Sequence, residues 1–248
     1  MPGAEPIFIE AGPTALLFVH GFTGSPYEGR PFADYFSRRG FTVSVPLLPG
    51  HGTRPGDMLG VSWQDWYRAT VQAWQQLRER FQQVVVCGQS MGGALALNLA
   101  AHHAVEAFIG LAAATYLTDW RLRLLPLARH LWRYQYKSRG PDIRDPAARK
   151  QSVHYRKYPL NSIVELLALL RHVRGDLMDV TAPALLFHSI QDHVVPYGNL
   201  KFIADNLGSQ VVETVTLQQS YHVISVDLER EQVFGRIEAF LKEQKLVA

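Results

Sequence analysis

Apolar residues along this chain fall into two alternating patterns. Residues 14–19, 41–45, 84–87, 107–112, 184–189 and 211–217 form short runs of strand length, rich in Val, Ile, Leu and Phe, as buried strands are. Between them the apolar positions spread out as they do on helices, over 27–39, 62–81, 91–103, 197–206 and 228–244. Gly40 stops the first of these helices, and Ser62 stands where an N-cap belongs. Trp63, Trp66, Val71, Trp74 and Leu77 are candidates for the buried side of the second. Residues 46–56 are rich in turn formers and read as a loop. Strands alternating with helices predict an α/β fold, with a mostly parallel central sheet flanked by helices. The alternation lapses over residues 115–179. Helical patterns at 120–136 and 163–173 flank a polar, proline-containing stretch at 140–159, and no strand is expected there. The division predicted is a core of residues 1–114 and 180–248, with a small helical insertion at 115–179. Trp120, Leu124, Leu125, Leu127, Leu131, Trp132, Leu166, Leu167, Leu169 and Leu170 are expected to supply the packing of the insertion.

One strand-to-helix junction carries chemistry. The valine run at 84–86 leads into Cys87-Gly88-Gln89-Ser90-Met91-Gly92-Gly93, then into a helix of alanine and leucine. A Gly-x-Ser-x-Gly turn in that setting is the pattern of a nucleophile elbow, in which a sharp turn presents a serine hydroxyl. Gly88 and Gly92 supply the freedom from side chains that such a turn requires. The plainer alternative is a glycine-rich turn whose serine only caps the helix.

A serine hydroxyl is a weak nucleophile at neutral pH, so a base must take its proton and a third group must orient that base. In open α/β sheets of this kind the order along the chain is serine, acid, histidine. His222 lies between the last strand and the last helix, at the strand end where ligands bind such sheets, and is the candidate base. Asp192, just beyond the 184–189 strand, is the candidate acid. Asp176, Asp179 and Asp227 are lesser candidates. Of the other histidines, His20 and His51 read as loop structure, His188 as a core residue, and His130, His154 and His172 as parts of a solvated face. The backbone N–H groups of Met91 and Phe22 are the candidate oxyanion hole, with the Phe22 ring walling an acyl site.

With 248 residues, 47 % of them hydrophobic, the chain can bury a substantial core. No apolar run reaches the roughly 18 residues that a membrane span needs. No secretory signal pattern opens the chain, and Cys87 has no partner cysteine, so cytoplasmic residence is expected. The net charge of +3 hides a split: residues 116–175 carry +9, from 13 bases and four acids, and the rest carries −6. This basic insertion is a candidate for contact with an anionic membrane surface, a merely solvated face being the plainer reading. No motif for nucleic acid accompanies the charge. No metal, phosphate-loop or dinucleotide motif is present, and the adjacent His102 and His103 diverge on a helix, so neither a metal nor a cofactor is expected. Oligomeric state is not legible.

These residues resemble the α/β-hydrolase superfamily over most of the chain, and most closely the small bacterial carboxylesterases and monoacylglycerol lipases found in bacilli. The resemblance rests on His20-Gly21-Phe22-Thr23-Gly24-Ser25-Pro26, Pro49-Gly50-His51-Gly52-Thr53, the Ser90 turn, Asp192-His193-Val194-Val195-Pro196 and Ser220-Tyr221-His222-Val223. It implies the α/β-hydrolase fold, a Ser90/Asp192/His222 triad, an oxyanion hole at Phe22 and Met91, a helical cap over an apolar acyl tunnel, and no cofactor. Two positions depart from the family pattern. Gln89 stands where leucine is usual, and Glu165 is the one glutamate in the insertion, against a family glutamate that meets the glycerol head group. The expected activity is hydrolysis of short-to-medium-chain acyl esters through an acyl-enzyme. A monoacylglycerol lipase is a close alternative, and thioester or C–C hydrolysis is compatible with the same triad. A non-catalytic ligand-binding protein of this fold is the alternative from another class.

Overall fold

The computed structural model describes residues 1–137 and 140–246. Arg139, counted above among the basic residues, lies outside them. Seven strands form the main sheet: β1 (Ile7–Ile9), β2 (Thr14–Val19), β3 (Thr42–Val45), β4 (Gln83–Gln89), β5 (Phe108–Leu111), β8 (Ala184–Ser189) and β9 (Val212–Leu217), in the spatial order β1-β3-β2-β4-β5-β8-β9. All neighbours are parallel except β1, which runs antiparallel to β3. A chain that moves outward from β2 to β3 and then crosses back to β4 makes a topological switch between β2 and β4. Ligands bind such sheets at the strand ends beside a switch of this kind.

Alternating residues of each central strand enter opposite cores. Ala15, Leu17 and Val19 of β2 join one, and Leu16 and Phe18 the other. The first core is closed by α2 (Trp63–Arg78), α3 (Met91–His102), the inner side of α6 (Leu160–Asp176) and α7 (Gly198–Asn206). The second is closed by α1 (Arg30–Ser37) and α8 (Arg230–Glu243). Ser62 and Asp65 make a reciprocal capping box at the start of α2, satisfying donors that a bare helix end leaves open. Trp66 and Leu77 of that helix are buried, while Trp63, Val71 and Trp74 pack half-buried against the core.

Between β5 and β8 the chain leaves the sheet. This excursion holds α4 (Leu125–Leu131), β6 (Tyr134–Tyr136), α5 (Pro146–Gln151), β7 (Lys157–Pro159) and α6. The absence of strands expected here is corrected: β6 and β7 pair as an antiparallel ribbon, so the helical pattern at 120–136 breaks at Trp132. Three-residue strands are too short to show a period of two. Tyrosine-rich sequence with β-propensity forms them instead, and the Lys157 ammonium lies over the rings of Tyr134 and Tyr136. Of the apolar residues expected to pack here, Leu125, Leu166, Leu169 and Leu170 are buried, whereas Trp120, Leu124, Leu127, Leu131 and Trp132 face solvent. None of the described helices is long and apolar enough to cross a membrane.

Candidate active site

Ser90 follows β4 directly and caps α3 with φ 57° and ψ −118°, a left-handed conformation that costs a residue bearing a side chain about 1–3 kcal/mol. Its surroundings fix that geometry. The Ser90 N–H donates to Leu111 O, and Ser90 O accepts from the N–H groups of Ala94 and Ala114. The flanking glycines are required by space. A Cβ on Gly88 would fall 2.2 Å from Gly92 O, and one on Gly92 only 2.0 Å from Val19 O.

Three separated parts of the chain converge at this turn. His222 Nε2 lies 2.8 Å from Ser90 Oγ, and His222 Nδ1 lies 2.7 Å from Asp192 Oδ2. Asp192 has no exposed side-chain surface. Its Oδ1 accepts the N–H groups of Val194 and Val195, each at 2.8 Å, while Oδ2 also faces His188 Nε2 at 3.2 Å. Burial alone would raise this carboxyl. The charges and hydrogen bonds of His222 and His188 outweigh it and hold Asp192 well below the usual carboxylate range. Burial pulls His222 the other way, downward. The charge and hydrogen bond of Asp192, helped by the charges of Asp142 and Glu28, leave it above its ordinary 6.5.

The loop after β2 covers the serine. A Cβ built on Gly21 would lie 3.4 Å from Ser90 Cβ, so the residue just before Phe22 approaches the serine closely. The turn here is closed by Gly24 N–H to Gly21 O, which leaves the Phe22 N–H outside it. Met91 is the first residue of α3, so its N–H has no partner within the helix. His20 holds this loop as a neutral ring. Its Nδ1–H donates to Gly21 O and its Nε2 accepts the Leu48 N–H, with burial lowering its pKa to about 4. Glu28, also buried, accepts the Gly21 N–H at 2.8 Å. The Phe22 ring meets Trp66, His51 and Tyr158 edge-on, and packs with Leu125, Leu160 and Ile163.

Further groups position these residues, and of them Asp142 was not singled out in the sequence. Gln89, the departure from the family pattern, donates through Nε2 to His222 O at 2.8 Å. Asp142 accepts the N–H groups of His193 and His222 on one oxygen and pairs with His193 Nδ1 on the other. The excursion thereby clasps both the Asp192 loop and the His222 loop. Asp227, a lesser candidate for the acid, is buried and accepts the N–H groups of Arg144, Asp145, Tyr221 and Leu228 at 2.8–2.9 Å. Asp176, another, faces His102 and His172 at the far end of α3. The only advance signal for Asp142 is the Gly140-Pro141 turn before it; nothing local shows where that turn docks. Glu165 accepts the Trp63 N–H at the start of α2.

A family model described as "Serine aminopeptidase, S33" (Hydrolase_4) matches residues 13–229. A thermostable monoacylglycerol lipase from a Bacillus species is 36 % identical over 247 residues, covering 98 % of this chain and 96 % of that protein. A carboxylesterase from Bacillus subtilis is 24 % identical, covering 96 % of each. Among solved structures, one from work on the metagenome-derived lipolytic enzymes LipS and LipT superposes with a TM-score of 0.93 at 33 % identity, over 98 % of this chain and 99 % of that one. A soluble variant of the Saccharomyces cerevisiae monoglyceride lipase shares the fold, with a TM-score of 0.80 at 16 % identity over 96 % and 91 % of the two chains. The chain belongs to the Hydrolase_4 family of α/β-hydrolases.

Proposed function

We propose that Ser90, His222 and Asp192 are the nucleophile, base and orienting acid of a serine carboxylic-ester hydrolase. The observation that carries this reading is the unbroken hydrogen-bonded line Asp192–His222–Ser90 at 2.7 and 2.8 Å, in the order nucleophilic catalysis requires. Ser90 Oγ attacks the ester carbonyl while His222 Nε2 takes its proton. The carbonyl oxygen, now an alkoxide, is met by the N–H groups of Phe22 and Met91. His222 returns the proton to the departing alcohol, leaving an acyl-enzyme. A water molecule that gives its proton to His222 then attacks this ester, and Ser90 is restored as the acid leaves. Asp192 keeps the Nδ1 proton in place and stabilises the imidazolium in both halves of the cycle.

Residues 115–179 act as a cap over a core of 1–114 and 180–248. The apolar group around Phe22, drawn from Leu125, Leu160 and Ile163, gives the acyl chain its wall. Short-to-medium acyl esters are the substrate class. Monoacylglycerols are the second reading, favoured by the Bacillus monoacylglycerol lipase that is 36 % identical. On either reading one oxygen of Glu165 is engaged by the Trp63 N–H at the start of α2. The outer face of the cap, where Trp120, Leu127 and Trp132 lie exposed among arginines, is the surface that meets anionic lipid aggregates.

Release of a chromogenic acyl ester by the wild type and by Ser90→Ala tests the assignment. A loss of at least about 10⁴-fold is expected, and equal rates would overturn it. A chain-length series that includes monoacylglycerols, ranked by kcat/KM, separates the two substrate readings.

A further inference from the structure

At the end of α3 remote from Ser90, three side chains converge without a role in the chemistry above. We infer that His102, His172 and Asp176 form a binding site for a divalent transition-metal ion of the zinc or nickel type, bridging α3 to α6. His172 and Asp176 are four residues apart on α6 and so share one face of it. His102, the last residue of α3, comes from the helix packed against that face. Both imidazole Nε2 atoms address the same carboxylate oxygen: Asp176 Oδ2 is 3.7 Å from His102 and 3.3 Å from His172. The three ligand atoms all lie within 4.8 Å of one another. An ion bound at 2.0–2.2 Å separates its ligand atoms by roughly 3.0–3.6 Å. Small side-chain rotations of two partly exposed histidines close that difference.

The hydrogen bonding gives the site its charge logic. His102 Nδ1 lies 2.8 Å from Asn98 O, which can only accept, so Nδ1 carries the proton. In the neutral ring Nε2 then turns a lone pair toward the lone pairs of Asp176. Such an arrangement calls for a cation between them. A backbone carbonyl holding the remote N–H of a ligating histidine is the usual support of a metal site. Asp176 Oδ2 is also a buried oxygen with no hydrogen-bond partner among the described residues, which is costly to leave unpaired. Neighbouring rings flank both imidazoles without enclosing them. His172 packs on Trp63 with centroids 4.8 Å apart and stacks on His102 at an interplanar angle of 10°. Two imidazoles and one carboxylate select borderline ions over magnesium or calcium, which prefer all-oxygen sites.

The cation could instead be a proton on one of the rings, and the test separates the two. The 248-residue protein, freed of metal by chelator and dialysis, is titrated calorimetrically with zinc chloride and nickel chloride, with magnesium chloride for contrast, and its Tm is followed. Zinc should bind and raise Tm by roughly 5 °C or more once free ion exceeds Kd a hundredfold. Magnesium should do neither. H102Q, H172Q and D176N should each weaken zinc binding at least roughly tenfold, while H103Q should not, because the His103 ring packs tilted against Trp74 instead. Failure of the wild type to bind zinc, or zinc binding undiminished in both H172Q and D176N, would overturn the proposal. Stabilisation by acid with no response to zinc would also overturn it, and would assign an imidazolium–carboxylate pair. All readouts are independent of ester hydrolysis.

Discussion

All four polar atoms of His222 are engaged. Ser90 and Asp192 hold the ring, Asp142 takes the N–H, and Gln89 holds the carbonyl. As the proposed base, His222 works only when neutral, so kcat/KM should fall as pH drops through its pKa, with the midpoint above 6.5 because that pKa is raised. Part of the rise comes from the charge of Asp142. Asp142→Asn keeps an acceptor for the backbone but removes the charge, so it should move the acidic limb of the profile to lower pH. An unmoved limb would refute a role for that charge. Stability follows the same groups. The folded chain holds the His222 proton more tightly than the unfolded one does. That contribution is complete below the unfolded pKa and is lost as pH rises through the folded one. Asp192 has a lowered pKa, so its contribution is present above the unfolded value near 3.8 and is lost as pH falls. Ser90, Asp192 and His222, which the structure brings together, stood out in the sequence as candidates because each follows the end of a predicted strand. Gln89 was legible only as an oddity, because its partner lies 133 residues away.

At the level of elements, the β4–α3 junction is the best specified part of the molecule and the least tolerant of change. Gly92→Ala forces a methyl group into the Val19 carbonyl and should cost more than about 3 kcal/mol. Chemical denaturation would measure this as a lower midpoint; a loss under about 1 kcal/mol would mean that β2 gives way easily. The long-period elements were readable because apolar spacing accumulates over many residues. Trp66 and Leu77, expected on the buried side of α2, are buried there, while Trp63, Val71 and Trp74 of the same expectation are only half-buried. The three-residue strands β1, β6 and β7 were not readable, because pairing rather than internal pattern makes them strands. On α4 the apolar positions were visible but their direction was not. Leu125 turns inward, while Leu124, Leu127 and Leu131 turn to solvent, and only the neighbouring elements decide between those faces.

Across the whole molecule, the +9 of residues 116–175 stands against −6 elsewhere, and the exposed Trp120, Leu127 and Trp132 lie within the basic part. The protein should therefore bind anionic vesicles more tightly than neutral ones at low salt, and lose that preference as screening increases. Replacing those three side chains by alanine should weaken binding to both kinds of vesicle. Equal affinity for the two kinds at low salt would rule out the electrostatic part. The stitching between excursion and core has a consequence for redesign. Asp142 grips the loops that carry Asp192 and His222, and the backbone of Arg144 and Asp145 is pinned by the buried Asp227. An engineer could recast the outer helices to change substrate preference. Transplanting the whole excursion from a relative, however, would import a foreign hem and slacken the base, unless residues 142–145 were carried through unchanged.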